Sequence, residues 1–495
     1  MTYIKKHLAN IILNIIIGIY MLTKKYVYGS LALAVMLACG SAQADVTKYI
    51  DASAENQSVT EDVNYTGNAN YGVYATAGKT ATLTGENITF NLSSNDNTNG
   101  YSGVFSNVTN GTGGGSIKLG GDKTQNITLN VKNTGNYVDK YSNCDAIGIW
   151  AHRNYKFTGE NPSKIEVTSE NLTINAYSEE GAAVGLWAQN STSSGSLEQY
   201  GGEAGISTII VNAENTVINV TSGNTEPIDG EYMNIGIVNY SQGKVEINNN
   251  LTINAGTAIS TRGNALTVIN KDGKGTVKIN GDINFNITND GKSGLVADST
   301  VDIKLTNKDS YLNGNIIKTI SGSNTNVNMS VTHMNLLLEN GGTWNTNADS
   351  FVNNLTLDGG IINAKSEKQT ITVDNLKGNG NVNLAATTDG STINTSKITV
   401  DTAEEGSHLN ANLTGITADD IKNVDKALES IKSNVTGVAH SNTITEGDIN
   451  GAITQNVDAK DTAGTVTVAS NTKIDGYGIA LGLATAQWRH ELNSL

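Results

Sequence analysis

Asn126-Ile127-Thr128-Leu129-Asn130-Val131 alternates polar with apolar residues. Period two with β-branched residues marks a strand with one buried face. The phrase recurs as Asn87-Ile88-Thr89-Phe90-Asn91-Leu92, Asn171-Leu172-Thr173-Ile174-Asn175-Ala176, Asn215-Thr216-Val217-Ile218-Asn219-Val220 and Asn250-Leu251-Thr252-Ile253-Asn254-Ala255. A second phrase follows most of them: Val104-Phe105, Ala146-Ile147-Gly148-Ile149-Trp150, Ala183-Val184-Gly185-Leu186-Trp187, Ile235-Gly236-Ile237-Val238. A third comes before the next unit: Ser116-Ile117-Lys118-Leu119, Lys164-Ile165-Glu166-Val167, Thr208-Ile209-Ile210-Val211, Lys244-Val245-Glu246-Ile247. Three strands in fixed order describe one coil of a solenoid. The expected fold is all-β, a right-handed parallel β-helix with three sides. A propeller would need four strands per blade.

The composition agrees with such a coil. Gly 53 and Pro 2 in 495 residues suit corners that need positive φ and ladders that need every backbone donor. Aromatic content of 5% suits a narrow core of stacked Ile, Val and Leu. Lys+Arg 32 against Asp+Glu 47 gives a net charge of −15, which argues against nucleic acid and anionic lipid as partners. Arg153, Arg262 and Arg489 form no sequence cluster able to clamp a phosphate. Cys39 and Cys144 are too few for a disulfide framework.

The N-terminus reads as an export signal over residues 1–44. Leu31 to Ala38 is an apolar stretch behind Lys24 and Lys25, and Ala42-Gln43-Ala44 before Asp45 fits small-residue cleavage. The expected cut lies between Ala44 and Asp45. The earlier run Ile11 to Tyr20 is too short to span a bilayer. It belongs either to an extended signal or to sequence upstream of a start at Met21; a lipidated Cys39 is a third reading. The segment carries four lysines, Lys5, Lys6, Lys24 and Lys25, and no acid, so the exported part is the more acidic.

The repeats occupy 45–335, and from 336 the texture tightens. Asn340-Gly341-Gly342-Thr343-Trp344, then Asp349-Ser350-Phe351-Val352-Asn353-Asn354-Leu355-Thr356-Leu357-Asp358-Gly359-Gly360, then Leu376-Lys377-Gly378-Asn379-Gly380-Asn381-Val382-Asn383-Leu384 resemble the C-terminal passenger region of pertactin-type bacterial type V autotransporters. Gln487-Trp488-Arg489-His490-Glu491-Leu492 resembles the helix that leads into their outer-membrane barrel. The resemblance covers about 45–495 in architecture and 330–495 in motifs. It implies an autochaperone-like cap over 336–478, a linker helix over 479–495, and a passenger whose barrel is absent from this chain. An outer-membrane translocator would then be its partner. Thr417 to Val435 reads as a helix, with Ile421, Val424, Leu428 and Ile431 on one stripe and Thr417 and Asp420 as a capping pair.

No catalytic, cofactor or metal constellation stands out. The six histidines are isolated, and the acids Asp139, Asp145, Glu160, Glu166, Glu170, Glu179 and Glu180 are scattered over strands and loops, as on a solvated surface. His152-Arg153 beside Trp150 reads as a coil corner, and Cys144 has no evident base. Trp150 and Trp187 hold equivalent places in neighbouring coils and are the candidate ligand contacts, either as core or as a sugar-binding ledge. The expectation is a non-enzymatic exported surface or adhesion protein without cofactors. It would contact glycans or proteins of host or bacterial surfaces, at the cell surface or outer membrane if a translocator is present and otherwise in the periplasm or medium. The alternatives are a glycan-active β-helix enzyme and a truncated, functionless reading frame.

Overall fold

The five Asn phrases lie side by side in register. Asn87 pairs with Asn126, Asn126 with Asn171, Asn171 with Asn215, and Asn215 with Asn250, all in parallel. The second phrases pair likewise, Val104 to Ile149 to Leu186 to Ile237, and so do the third, Ile117 to Ile165 to Ile209 to Val245. Each strand therefore bonds to the strand three places along the chain, and the fold is a parallel β-helix. This computed structural model describes residues 46–95, 100–108, 113–136, 145–153, 162–190, 206–223, 234–289, 299–322, 332–458 and 465–468. The expected cleavage residues Ala44 and Asp45, together with Cys39, Cys144 and the whole 479–495 segment, lie outside them.

Three faces enclose the core. The Asn face holds Asn87–Ser94, Asn126–Asn133, Asn171–Ser178 and Asn215–Ser222. The aromatic face holds Tyr101–Val108, Ala146–Arg153, Ala183–Asn190 and Asn234–Tyr240. The short face holds Ser116–Gly120, Lys164–Thr168, Thr208–Val211 and Lys244–Ile247. Inward columns stack like on like: Phe90, Leu129, Ile174, Ile218 and Ile253 are each 0% exposed. Burying a side chain of this size stabilises by about 1.5–3 kcal/mol, so each added coil supplies several such increments.

The Asn residues of the phrase are bonded to one another. From Asn91 a chain of amides runs through Asn130, Asn175, Asn219, Asn254, Asn280, Asn313, Asn345, Asn363, Asn383 and Asn412. Each Nδ2 donates to the Oδ1 one coil before, at 2.6 to 3.2 Å. At the strand spacing of a sheet this ladder is about 50 Å long. A parallel ladder, Asn87 to Asn126 to Asn171 to Asn215 to Asn250, edges the same face. Rungs on the long ladder are 39, 45, 44 and 35 residues apart in the first coils but 18 and 20 apart from Asn345 to Asn383. The tightening comes from strands that turn a corner unbroken, Ser350–Ala364 and Thr370–Thr388. Asn340 and Gly341 make the preceding corner with φ 51 and 83. It sets Trp344 fully in the core, where its Nε1 donates to the Gly314 carbonyl at 3.0 Å.

The parallel stack runs past residue 336 without a break and is closed further on. Ala439–Thr445 pairs in parallel with His408–Thr417 on one side and antiparallel with Ile453–Val457 on the other. A separate cluster fills this end, with Ile393, Leu413, Ile416, Ile421, Leu428 and Ile431 among its members.

The helix expected over 417–435 is corrected. Thr417 ends a strand, Ala418–Asp420 is a 3₁₀ turn, and the α-helix, α1, spans only Val424–Ser430. The Asp420 carboxylate does accept from the Thr417 N–H at 2.7 Å, but that bond caps the short turn. Ile421 then returns to extended backbone, and Asn423 caps α1 afresh, its Oδ1 accepting from the Lys426 N–H at 3.0 Å. Ile421, Leu428 and Ile431 are buried as the stripe required, whereas Val424 is 37% exposed. Among the described residues no helix is long and apolar enough to cross a membrane, a criterion that does not address β-barrels.

Candidate functional site

Gly103, Gly148, Gly185 and Gly236 stack as a column within the aromatic face. A Cβ on Gly148 would strike the Ile174 side chain of the core and sit 2.5 Å from the Gly185 carbonyl; on Gly185 it would strike Ile218 and sit 2.5 Å from the Gly236 carbonyl. Only glycine fits there. Gly148 and Ile149 both face the core, so the in and out alternation breaks at this point. Ile149 and Ala151 join the central core, whereas Ile147 and Trp150 belong to a second cluster with Val184, Trp187, Ile235, Val238 and Tyr240.

Trp150 and Trp187 are thus brought together on the outer side of this face. Their rings stack with centroids 5.2 Å apart and planes at 24°. The stack continues below: Phe105 lies 4.5 Å from Trp150, with Tyr71 and Tyr74 at 5.0 and 5.6 Å from Phe105. Above, the register sets Val238 against Trp187. Both faces of Trp150 are therefore covered by neighbouring rings. A sugar ring stacks on an open aromatic face, and inside this column such faces are already in use. The two indole nitrogens are buried and have no hydrogen-bond partner in the protein.

His152 flanks the column, its ring 5.3 Å from that of Trp150 and its Nδ1 3.1 Å from the Asn107 amide oxygen. Burial pushes its pKa down to about 4, so the ring is neutral near pH 7. Arg153, on the same strand, is 2% exposed.

Three of the acids of the first coils are engaged singly. Asp145 accepts from the Ala182 N–H at 2.9 Å, Glu166 pairs with Lys164 at 2.5 Å, and the Tyr177 hydroxyl donates to Glu179. That last bond is the main reason the Tyr177 phenol is pushed up to about 12. Glu170 is exposed, and Asp139 and Glu160 lie outside the described residues. Among the described residues no three His, Cys, Asp or Glu side chains converge as a metal site.

The Asn face offers a different surface, which the sequence reading did not single out. Thr89, Thr128, Thr173, Val217 and Thr252 form a column between the two Asn ladders. The signal was available in the recurrence of Asn at the first and fifth positions of every phrase. No protein family, no characterised protein and no solved structure matches this chain.

Proposed function

We propose that this protein is an exported, autotransporter-type passenger that works by surface contact and not by catalysis. The observation that supports it most is the unbroken amide ladder from Asn91 to Asn412, which makes the coils one stiff rod. Such a rod holds long, regular outer faces toward a partner, and solenoids commonly bind through extended surfaces. The N-terminal signal pattern and the pertactin-like motifs around Asn340 to Trp344 add the export route, which remains an argument by family likeness.

Two measurements test the reading. N-terminal sequencing of the protein recovered from the periplasm of an expressing bacterium should begin at Asp45; a retained N-terminus would remove the export part. Beads coated with the purified chain should adhere to cells without releasing sugar or peptide. Release of product would replace surface contact by a glycan-active or proteolytic function.

A further inference from the structure

The outer side of the Asn face is uncharged over three of its columns across five coils. These three columns, headed by Asn87, Thr89 and Asn91 and ending at Asn250, Thr252 and Asn254, carry only Asn and Thr apart from Val217. The surrounding chain has Asp+Glu 47 and Lys+Arg 32. Exposed Glu86, Glu170 and Glu214 run along one border, and Lys132 is the one charge in the column at the other. The middle column loses its neutrality at Lys278, which pairs with Thr252.

A side-chain amide has two N–H donors and two acceptor lone pairs. Along each ladder it spends one donor and one lone pair on its neighbours, as in Asn175, which donates to Asn130 at 2.7 Å and accepts from Asn219 at 2.9 Å. One donor and one acceptor per rung are left for the outside, repeated about every 4.8 Å. Because the ladder already fixes these rotamers, little side-chain entropy remains to be lost on binding.

From this geometry we infer that the strip binds a neutral, extended polysaccharide lying along the coil axis. Sugar hydroxyls are donors and acceptors at once and match both free functions of each amide and of each Thr hydroxyl. A repeating chain meets the same groups on every coil, so weak contacts add within one molecule. An ionic partner finds no counter-charge on the strip, and the bordering glutamates repel an anionic chain. The inference rests on the surface-contact reading above and names its partner class.

The test uses the full chain with microcrystalline cellulose as the neutral probe and carboxymethyl cellulose as its anionic counterpart. Cellulose should retain the protein equally at low and high salt, and the anionic polymer should retain it less. The double variant Thr89→Glu/Thr173→Glu should lose at least tenfold in retention with a nearly unchanged unfolding midpoint, because both side chains face outward and stand two rungs apart. Thr372→Glu, exposed on a coil beyond the strip, should bind as the parent does. No retention by the parent chain, retention abolished by salt, or full retention by the double variant would overturn the inference. Adhesion to cells without cellulose binding sinks the strip and leaves the proposed function standing; sugar released from cellulose does the reverse.

Discussion

The Asn face and the aromatic face belong to the same coils and are built from strands of nearly the same length, yet they stack their side chains by different physics. On the Asn face, identical residues bond edge to edge, and the ladder passes from coil to coil for as long as Asn recurs. On the aromatic face, rings stack over a few coils and give way to Val238, since stacking needs a ring on each rung. Hydrogen bonding makes a long, thin, polar line; ring stacking makes a short, thick, apolar one that is tied to a second cluster. The difference shows that repetition alone does not define a face. The chemistry of the repeated group sets how far order extends.

The largest expected effect tests what both faces share. Ile174 is 0% exposed, and Ile174→Asp buries an unpaired charge in the common core, which should cost about 5 kcal/mol or more. Thr173→Asp, one residue away and pointing outward, should stay within about 1 kcal/mol. Urea unfolding of the pair checks this, and equal losses would break the inward and outward assignment.

Next comes the glycine column that separates the aromatic face from a plain strand. Gly185→Ala should lose about 3 kcal/mol by overpacking, because its Cβ would lie 2.5 Å from the Gly236 carbonyl. Gly256→Ala, whose Cβ meets nothing nearer than 3.6 Å, should be nearly neutral in the same experiment.

The two stacks can then be set against each other. Asn175→Asp removes a donor and turns a carboxylate toward the Asn130 amide oxygen, for a loss of about 2 kcal/mol. Trp150→Leu keeps an apolar group in the outer cluster and loses mainly the ring stacking, about 1 kcal/mol. A greater loss at Trp150 than at Asn175 would reverse the ranking of the two faces.

The smallest effect is a pH dependence confined to the aromatic face. The folded-state pKa of His152, about 4, lies below the ~6.5 of an unfolded imidazole. The unfolded chain therefore takes up the proton first, and stability from this group is complete above about pH 6.5 and lost as the pH falls toward 4. Between pH 7 and pH 6 the expected loss is ~0.7 kcal/mol. His152→Gln should flatten that part of the profile, and an unchanged slope would assign it to other groups.

Much of this architecture was legible in the chain. Phe90, Leu129, Ile174, Ile218 and Ile253 alternate with Asn and Thr, so strand parity on the Asn face follows directly from period two. The placement of Ile147 did not follow. Ile149, Trp150 and Ala151 keep the alternation, but Gly148 and Ile149 both face the core and leave Ile147 in the outer cluster with Trp150, a break that period-two counting cannot see. The helix over 417–435 was overdrawn for a related reason. A capping pair and an apolar stripe satisfy the local rule, but packing of Ile421 against the terminal cluster holds it in extended backbone and splits the segment.

The sequence by itself determined the coil. Its period, its glycines and its scarcity of proline leave a parallel stack as the arrangement that buries the apolar columns and satisfies the ladder donors. Only the tertiary structure decided what the outer columns became. Residues 18 to 45 positions apart in the chain meet one coil away, and that meeting turned scattered asparagines into a hydrogen-bonded ladder and two separate tryptophans into a stack. Such contacts depend on register between coils, which variable loops hide from any local reading of the chain.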